Sequence, residues 1–374
     1  MILKPDCLHF PGDRPCDFHK KTGVKCDNCS EYAPIGARIL VIKFDALGDV
    51  LRTTSLLPSL IKAYPAAHVT WLTKANAVDL FVNNPMVHEV WWMEDPQIVA
   101  KLLSVEFDLV VHPDANPSSA KYASMVRAKI FKGFRCESNG RVCPVDGPSE
   151  EWFELGAFDD LKKKNTKTYQ QIIHDIAGIP YDRSEIVLRL SSEELAFAGS
   201  FRARYKLGGF RNVIGLNTGA GGRWTYKKWT LDGYRGLVKE LMNRESTAVL
   251  LFGGPEETER NRALSSMSPK VIDTGTNNSL RQFFALMSLP SVVVTGDTMA
   301  LHVATALKKP TICLFGPTSA NEIEDYGRVV KIQPALDCLV CYKMDCDFQP
   351  NCMDSISVAD VLNAIHAVST RNVQ

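Results

Sequence analysis

Short apolar segments alternate with segments of helical character along most of this 374-residue chain, and this alternation restricts its fold more than any other feature. A first series of predicted strands begins at Arg38, and a second begins at Asn212, shortly after two adjacent glycines. Strands that are separated by helices favour a parallel sheet with helices on both faces. The sequence therefore predicts an α/β protein with two doubly wound, Rossmann-like domains in succession.

The same patterns predict four regions in the chain. Because 374 residues exceed the usual size of one domain, two domains of ordinary length are expected. Residues 135–165 have an irregular pattern, which predicts either a functional loop or a mobile surface insertion. The predicted regions are 1–34, a Cys-rich segment; 35–207, the first domain; 208–353, the second domain with a Cys-rich loop at 338–352; and 354–374, a C-terminal helix that packs back on the first domain.

Composition and charge exclude some classes of function. The formal net charge is +1, which gives no electrostatic reason to expect binding to nucleic acid. The N-terminal residues lack the apolar core of a signal peptide, and no apolar run approaches the length of a bilayer span. We therefore expect a cytoplasmic protein with at most peripheral contact at the inner face of the membrane.

The turn after the first predicted strand carries the main candidate for catalysis. The apolar run 39–42 is typical of a buried parallel strand, and Gly48 would permit a sharp turn before a helix. Ligands of open α/β sheets bind beyond the carboxyl ends of strands, and Asp49 follows such an end. Asp49 is therefore a helix N-cap, a catalytic carboxylate or both, and Asp45 on the same turn is a competing base.

Three strand ends in the second half carry polar residues and glycines that suit an anionic ligand. Segment 217–229 combines glycines with basic residues that can neutralise an anion, but it has neither a dinucleotide-binding nor a Walker spacing. The other two segments are 252–257 and 295–302. Taken singly, the three segments could be no more than a turn, a helix cap and a helix with a core histidine. Their position at one edge of the same predicted sheet favours a binding site. The candidate residues are Thr218, Gly219, Gly222, Arg223, Lys227, Gly254, Glu256, Asp297, Thr298 and His302.

Eight of the eleven cysteines form two clusters, one near each end of the chain. In a reducing compartment, such clusters favour metal binding over disulfides. Four thiolates that include a C-x2-C pair suit a closed structural zinc site, and iron or an iron–sulfur centre uses the same ligands. Reduced thiols packed as small hydrophobic groups and ligation shared between the clusters are alternatives. The candidate ligands are Cys7, Cys16, Cys26 and Cys29, with His9 and His19 as substitutes, and Cys338, Cys341, Cys346 and Cys352.

Four short motifs, taken together and in this order, resemble those of glycosyltransferase family 9, the heptosyltransferase family. They are Gly48-Asp49, Lys227-Lys228-Trp229, Gly253-Gly-Pro-Glu256, and the pair formed by 297–302 and 315–318. The resemblance extends from about Arg38 to the C-terminal helix. Met299 and Thr230 depart from the usual motifs, and the Cys clusters lie outside them, which leaves the identity of the sugar open.

The resemblance implies the GT-B architecture, in which two Rossmann-like domains face a central cleft, and an inverting transfer without a metal or other cofactor. It implies a nucleotide-diphosphate heptose as donor, usually ADP-heptose. The acceptor would be a hydroxyl group of a glycan, a lipid-linked glycan such as the lipopolysaccharide core, or a protein. A sugar-nucleotide epimerase of the same architecture and a non-catalytic nucleotide-sugar binding module are the alternatives.

The resemblance also implies roles for the candidate residues. Asp49 would take the proton from the acceptor hydroxyl during a single displacement. Lys227, the glycine-rich loop and the helix N-terminus at Thr298 would stabilise the charge of the leaving diphosphate. Asp297 and His302 would contact the donor phosphate or sugar, and Gly254 and Glu256 would contact the base and ribose.

Overall fold

The computed structural model describes residues 2–222 and 225–371, and the chain divides into two compact units. The first unit comprises Met1–Asp45, Leu56–Phe153 and Ile173–Ser184, and the second comprises Ala46–Ser55, Glu154–Ile172 and Glu185–Gln374. The predicted boundary after residue 207 is therefore wrong. Segments that precede it in the sequence, including the one that carries Asp49, belong to the second unit.

A six-stranded sheet forms the centre of the first unit. Its strands are β1 (Ala37–Ile42), β2 (Ala67–Thr73), β3 (Glu89–Trp92), β4 (Glu106–His112), β5 (Arg127–Cys136) and β6 (Val142–Pro144). They lie in the order β3-β2-β1-β4-β5-β6, and only the pair β5–β6 is antiparallel. Residues 39–42 of β1 and all of β2 are buried, as expected of apolar strands covered on both faces.

A second six-stranded sheet forms the centre of the second unit. Its strands are β7 (Asn212–Asn217), β8 (Thr247–Phe252), β9 (Val271–Asp273), β10 (Val292–Gly296), β11 (Thr311–Leu314) and β12 (Val329–Ile332). Their order is β9-β8-β7-β10-β11-β12, and all pairs are parallel. Both sheets thus follow the order 3-2-1-4-5-6 of dinucleotide-binding folds. The predicted α/β fold with two doubly wound sheets is confirmed.

Helices connect the strands, and several lie where no helix is predicted. The α-helices of the described residues are α1 (Asp17–Thr22), α2 (Leu47–Thr53), α3 (Leu56–Ala63), α4 (Ile98–Ser104), α5 (Pro117–Met125), α6 (Gly147–Ala157), α7 (Asp159–Lys164), α8 (Tyr169–Ala177), α9 (Ser192–Arg204), α10 (Leu231–Met242), α11 (Thr258–Ser265), α12 (Leu280–Met287), α13 (Met299–Ala306) and α14 (Val358–Arg371). Segment 135–165, predicted to be irregular, contains β6, α6 and α7. The Asp146 carboxylate accepts a hydrogen bond of 3.1 Å from the backbone N–H of Ser149 at the start of α6, which stabilises a helix with little amphipathic pattern.

Helix α2 follows β1 in the sequence, yet it packs against α13 in the second unit. Gly48 lies inside α2, and a Cβ added there would lie 2.9 Å from Cδ2 of His302. The glycine therefore permits close approach of two helices, and the prediction that it permits a sharp turn is wrong. Ala46 occupies the N-cap position and Asp49 lies in the first turn, so Asp49 does not cap this helix.

Helix α9 belongs to the second unit because it packs against α12, where Nε of Arg281 lies 2.6 Å from Oε1 of Glu194. Helix α14 packs against α10 and against β10, β11 and β12. Its buried residues Val361 and Ile365 belong to the same apolar core as Leu237 of α10. This corrects the prediction that the C-terminal helix packs on the first domain: its apolar face completes the core of the second sheet.

The N-terminal Cys-rich segment is held together by backbone hydrogen bonds, and it has no apolar core of its own. None of residues 2–38 is buried. Backbone hydrogen bonds join its two ends, from the N–H of Leu8 to the carbonyl of Ala33 and from the N–H of Ile35 to the carbonyl of Asp6, each 2.8 Å long. Across residues 2–222 and 225–371, no helix has both the length and the apolar character needed to cross a bilayer.

Candidate active site

A cavity of about 770 Å³ opens at the carboxyl ends of the central strands of the second sheet. Its lining residues all belong to the second unit, and they come from α2, from the segments after β7, β8, β9, β10 and β11, from α12, from the start of α13 and from Tyr342. This is the topological switch point of the sheet, where the chain leaves β7 and β10 in opposite directions. Among the candidate residues, those that line it are Asp49, Gly219, Lys227, Gly254, Glu256, Asp297, Thr298 and His302.

The N-terminus of α13 forms one wall of the cavity. Thr298 is its N-cap, and its hydroxyl accepts a hydrogen bond of 3.2 Å from the backbone N–H of Ala300. The side-chain amide of Asn217 donates to the hydroxyls of Thr295 and Thr298, which ties the end of β7 to the end of β10. A capped helix N-terminus that lines a cavity favours an anionic group.

Asp297 and Lys227 form an ion pair beside this helix end. Nζ of Lys227 lies 2.9 Å from Oδ2 of Asp297, and the hydroxyl of Thr318 donates to the same oxygen at 2.8 Å. Burial alone would raise the pKa of Asp297, but the charge and hydrogen bond of Lys227, with the charge of Arg52, lower it to about 2. The carboxylate is therefore ionised near neutral pH, and it holds the lysine ammonium group at the cavity wall.

The glycine-rich segment after β7 is covered by two glutamates. A Cβ at Gly219 would overlap the carboxylate of Glu257, and a Cβ at Gly222 would lie 2.7 Å from Oε1 of Glu256. Glu257 is buried and accepts a hydrogen bond of 2.9 Å from the backbone N–H of Gly254. Glu257 is not among the predicted residues, although the adjacent Glu256 is. Carboxylates at this position suit hydroxyl groups of a ligand better than its phosphates.

Three predicted residues differ from the others in their placement. The hydroxyl of Thr218 is buried and lies 2.6 Å from Oδ1 of Asn261, so it stabilises the strand end and does not line the cavity. Gly222 does not line it either. Arg223 lies outside the described residues.

The part of the cavity formed by α12 and by the segments after β8 and β9 is less polar. Pro255, Leu280 and Phe283 line it together with Thr276 and Asn278. The side-chain amide of Asn278 donates to the backbone carbonyls of Thr274 and Gly275, which holds the loop after β9 in place. An apolar region of this kind next to an anion-favouring wall fits a flat base beside phosphates.

Asp49 is held by an arginine that the sequence predictions do not include. Nη2 of Arg52 lies 2.7 Å from Oδ1 of Asp49, and the two side chains are 11% and 31% exposed. The guanidinium carbon of Arg52 lies 3.6 Å from the centre of the Tyr169 ring, and the hydroxyl of Tyr169 is 2.8 Å from that of Thr53. The i, i+3 spacing of Asp49 and Arg52 after a strand is the signal that could have indicated this pair.

His302 lies one turn into α13 and is buried against α2. Burial, and then the positive charge of Arg52, lower its pKa to about 4. The imidazole is therefore neutral near pH 7, and it can donate or accept a hydrogen bond without adding charge to the wall.

The eleven cysteines are free thiols. Cys7, Cys16, Cys26 and Cys29 line a second cavity of about 510 Å³ in the N-terminal segment, together with His9 and His19. In the other cluster, burial and the charges of Cys346 and Cys341 raise the pKa of Cys352 to about 11. In the described part of the chain, no three His, Cys, Asp or Glu side chains are arranged to hold a metal ion, so zinc stays a prediction.

The fold and the cavity define an α/β protein with a candidate ligand site at the switch point of its second sheet, and comparison with known proteins gives its family. The sequence profile described as glycosyltransferase family 9 (heptosyltransferase) matches residues 97–351. The chain belongs to this family and is a glycosyltransferase. It is 24% identical over 337 residues to lipopolysaccharide heptosyltransferase 1 of Pseudomonas aeruginosa, which covers 84% of this chain and 88% of that protein.

Solved structures share the fold. The ADP-heptose lipopolysaccharide heptosyltransferase II of Escherichia coli superposes with a TM-score of 0.67 at 20% identity, over 90% of this chain and 100% of that one. The iron-containing heptosyltransferase TibC of enterotoxigenic E. coli, solved with ADP-D-β-D-heptose, gives a TM-score of 0.56 at 12% identity over 91% of this chain and 77% of that one. At these identities, the likeness shows the fold.

Proposed function

We propose that the cavity binds a nucleotide-diphosphate heptose, ADP-heptose in the first instance, and that the chain transfers the heptose to an acceptor hydroxyl with inversion. The observation that carries this proposal is the Asp49 carboxylate, held by Arg52 in the same cavity that Lys227 and the α13 N-terminus line. The relatives support the choice of donor, since one is described as acting with ADP-heptose and another was solved with it.

In the proposed reaction, the acceptor oxygen attacks the anomeric carbon of the heptose, and the bond from that carbon to the diphosphate oxygen breaks. The bonding electrons leave with the diphosphate, and the proton of the acceptor hydroxyl passes to Asp49. Arg52, packed on the ring of Tyr169, keeps the Asp49 carboxylate in one orientation before the proton arrives. Positioning of this kind accounts for part of the rate enhancement that such sites achieve.

The leaving diphosphate gains negative charge, and the second unit offers groups to stabilise it. Lys227 lines the cavity, and its ammonium group lies 2.9 Å from Oδ2 of Asp297. The N-terminus of α13 adds backbone N–H groups that Thr298 orients. We assign no cofactor to the transfer step, and we expect activity to persist in the presence of EDTA.

The acceptor is proposed from the relatives, several of which are lipopolysaccharide or lipooligosaccharide heptosyltransferases. A lipid-linked glycan of the lipopolysaccharide core is the first candidate, and another glycan or a protein hydroxyl is the second. A lipid-linked acceptor fits action in the cytoplasm with peripheral contact at the inner face of the membrane.

The test is release of ADP from ADP-heptose with and without each candidate acceptor. Acceptor-dependent release together with a glycosylated product supports transfer. Turnover of the donor without an acceptor would indicate an epimerase or a hydrolase, and tight binding without turnover would indicate a binding module.

Asp49→Asn should lower the transfer rate by roughly 10²- to 10⁴-fold, because the amide cannot take the proton, while ADP-heptose binding persists. Asp232→Asn, at a largely exposed position on α10, is the matched control and should leave the rate unchanged. Equal loss of donor binding and of rate in Asp49→Asn would show that Asp49 holds the fold of the site and is not the base.

A second proposal concerns the cysteines, which we expect to hold metal ions outside the transfer chemistry. Four thiols line one cavity in a segment without buried residues, and TibC is described as iron-containing. Elemental analysis of the full chain would separate zinc from iron. Paired Ser substitutions of Cys26 and Cys29, or of Cys338 and Cys341, should each remove metal, and Cys136→Ser should not. A metal-free, active protein would refute the proposal.

A further inference from the structure

The Cys-rich loop 338–352 is attached to the segment that follows β11. The backbone N–H of Val340 donates to the carbonyl of Gly316 at 3.2 Å, and that of Tyr342 donates to the carbonyl of Pro317 at 2.9 Å. The thiol of Cys352 packs so closely on Gly316 that a Cβ added to this glycine would overlap the sulfur. The same segment includes Thr318, whose hydroxyl donates a hydrogen bond to the Asp297 carboxylate. The loop is therefore part of the structure that supports the cavity.

Within this loop, Tyr342 reaches the cavity. Its hydroxyl donates a hydrogen bond of 3.0 Å to Oε1 of Glu322 and accepts one of 3.3 Å from the backbone N–H of Ser319. Nζ of Lys162 lies 4.6 Å from the centre of the tyrosine ring. Val340 and Tyr342, on either side of Cys341, have φ angles of +60° and +50°, which side chains other than glycine adopt rarely. Such a backbone persists only where its surroundings hold it.

Glu322 lines the same cavity, and its backbone carbonyl accepts a hydrogen bond of 2.9 Å from the N–H of Tyr169, the residue that packs on Arg52. Burial raises the pKa of the Glu322 carboxyl group, which Arg52 and the tyrosine hydroxyl only partly offset. A carboxyl oxygen accepts hydrogen bonds, and the hydroxyl groups of a sugar can donate them.

We propose that the Cys-rich loop is a working part of the transfer site: it places the hydroxyl of Tyr342 so that the carboxyl group of Glu322 is held toward the cavity, where it hydrogen-bonds hydroxyl groups of the donor sugar. Glu322 is the contact residue and Tyr342 is its positioning residue. The proposal rests on the proposed function, because it requires a donor that carries a polyhydroxylated sugar.

The experiment compares the affinities of the full-length chain for ADP-heptose and for ADP by calorimetry. Tyr342→Phe removes only the hydroxyl, and Glu322→Gln keeps the shape of the side chain. Each variant should bind ADP-heptose about three- to tenfold more weakly than the wild type and ADP equally well. Because the two groups act through one hydrogen bond, the double variant should be no weaker than the weaker single variant. Tyr205→Phe, on a tyrosine that packs on Phe201 and does not line the cavity, is the control.

Several results would overturn the proposal. They are unchanged affinity for ADP-heptose in Glu322→Gln, an equal loss for ADP and ADP-heptose, and additive losses in the double variant. Should Tyr342→Phe fail to fold, Glu322→Gln alone still decides, since it leaves the loop intact. Turnover of the wild type is measured separately. If the wild type binds ADP-heptose more tightly than ADP but transfers no heptose, the transfer mechanism is refuted. The affinity comparison then still tests the role of Glu322.

Discussion

The two sheets carry similar charged clusters at the same topological place, and they use them differently. In the first sheet, Lys43 and Asp45 follow β1, and His112 and Asp114 lie at the end of β4. Nζ of Lys43 forms ion pairs with Asp114 and, at 2.6 Å, with Asp45. The side chains of Lys43 and Asp114 are 2% and 0% exposed, and only Asp45 is open to solvent. This cluster satisfies its charges internally.

The cluster of the second unit has the same kinds of residue but is partly open. Lys227 and Asp297 are 17% and 15% exposed, and Asp49 is 31% exposed. Both of these carboxylates have a cationic partner and still line a cavity. Position at a strand end and residue type therefore do not distinguish a structural cluster from a binding site. Access to a cavity distinguishes them, and access is set by the packing around the charges.

The largest effect that separates the two clusters should come from Lys43→Met. Removal of this buried cation leaves its carboxylate partners without their ion pair, so the free energy of unfolding should fall by about 3–5 kcal/mol. Urea denaturation measures it. Lys129→Met, at an exposed pair with Asp108, is the control and should cost less than about 1 kcal/mol. A similar cost in both variants would mean that the first cluster does not stabilise the fold.

Next in size is a pH effect on stability through His112. Burial lowers its pKa to about 4, below the value of about 6.5 in an unfolded chain. Between these values the unfolded state binds the proton and the folded state does not, so stability should fall as the pH drops from 6.5 to 4. His112→Asn should remove up to about 3 kcal/mol of this dependence. An unfolding series at several pH values tests this, with His9→Asn as an exposed control. An unchanged pH dependence in His112→Asn would contradict it.

Lys227→Met tests the open cluster. Loss of the ammonium group should weaken ADP-heptose binding by about 10- to 100-fold, the usual range for a hydrogen bond to a charged group, and should lower stability less than Lys43→Met does. Lys228→Met is the matched control, because Lys228 pairs with Glu257 at 3.4 Å and does not line the cavity. If both variants bind the donor equally, the predicted role of Lys227 is wrong.

The smallest effect should come from Gly48→Ala, which tests the packing that joins Asp49 to the second unit. The added Cβ would lie 2.9 Å from Cδ2 of His302 and 3.3 Å from Cα of Met299, so overpacking should cost about 1–3 kcal/mol. Gly199→Ala, in α9 with open space around it, should instead stabilise the chain by up to about 1 kcal/mol. Thermal unfolding of the two variants compares them, and a stabilised Gly48→Ala would show that the helices are not in tight contact.

Much of this protein could be predicted from its sequence because the relevant signals are local. Apolar runs of strand length, such as 39–42 and 248–252, and the capping box of Ser279 and Gln282 can each be recognised within a few consecutive residues. Strand ends collect at one edge of a parallel sheet whatever the side chains are, so most of the predicted residues share one cavity.

The remaining features depend on partners that are far apart in the chain. Tyr169 packs on Arg52, Tyr342 bonds to Glu322, and Gly48 contacts α13, and no periodicity links any of these pairs. The segment that carries Asp49 follows the first strand of the first sheet in sequence, and it belongs to the second unit. The sequence by itself determined the fold class, the approximate positions of most strands in the chain, and the chemical groups available at the site. Only the tertiary structure decided which charges are enclosed and which face the cavity, because burial depends on packing between distant segments.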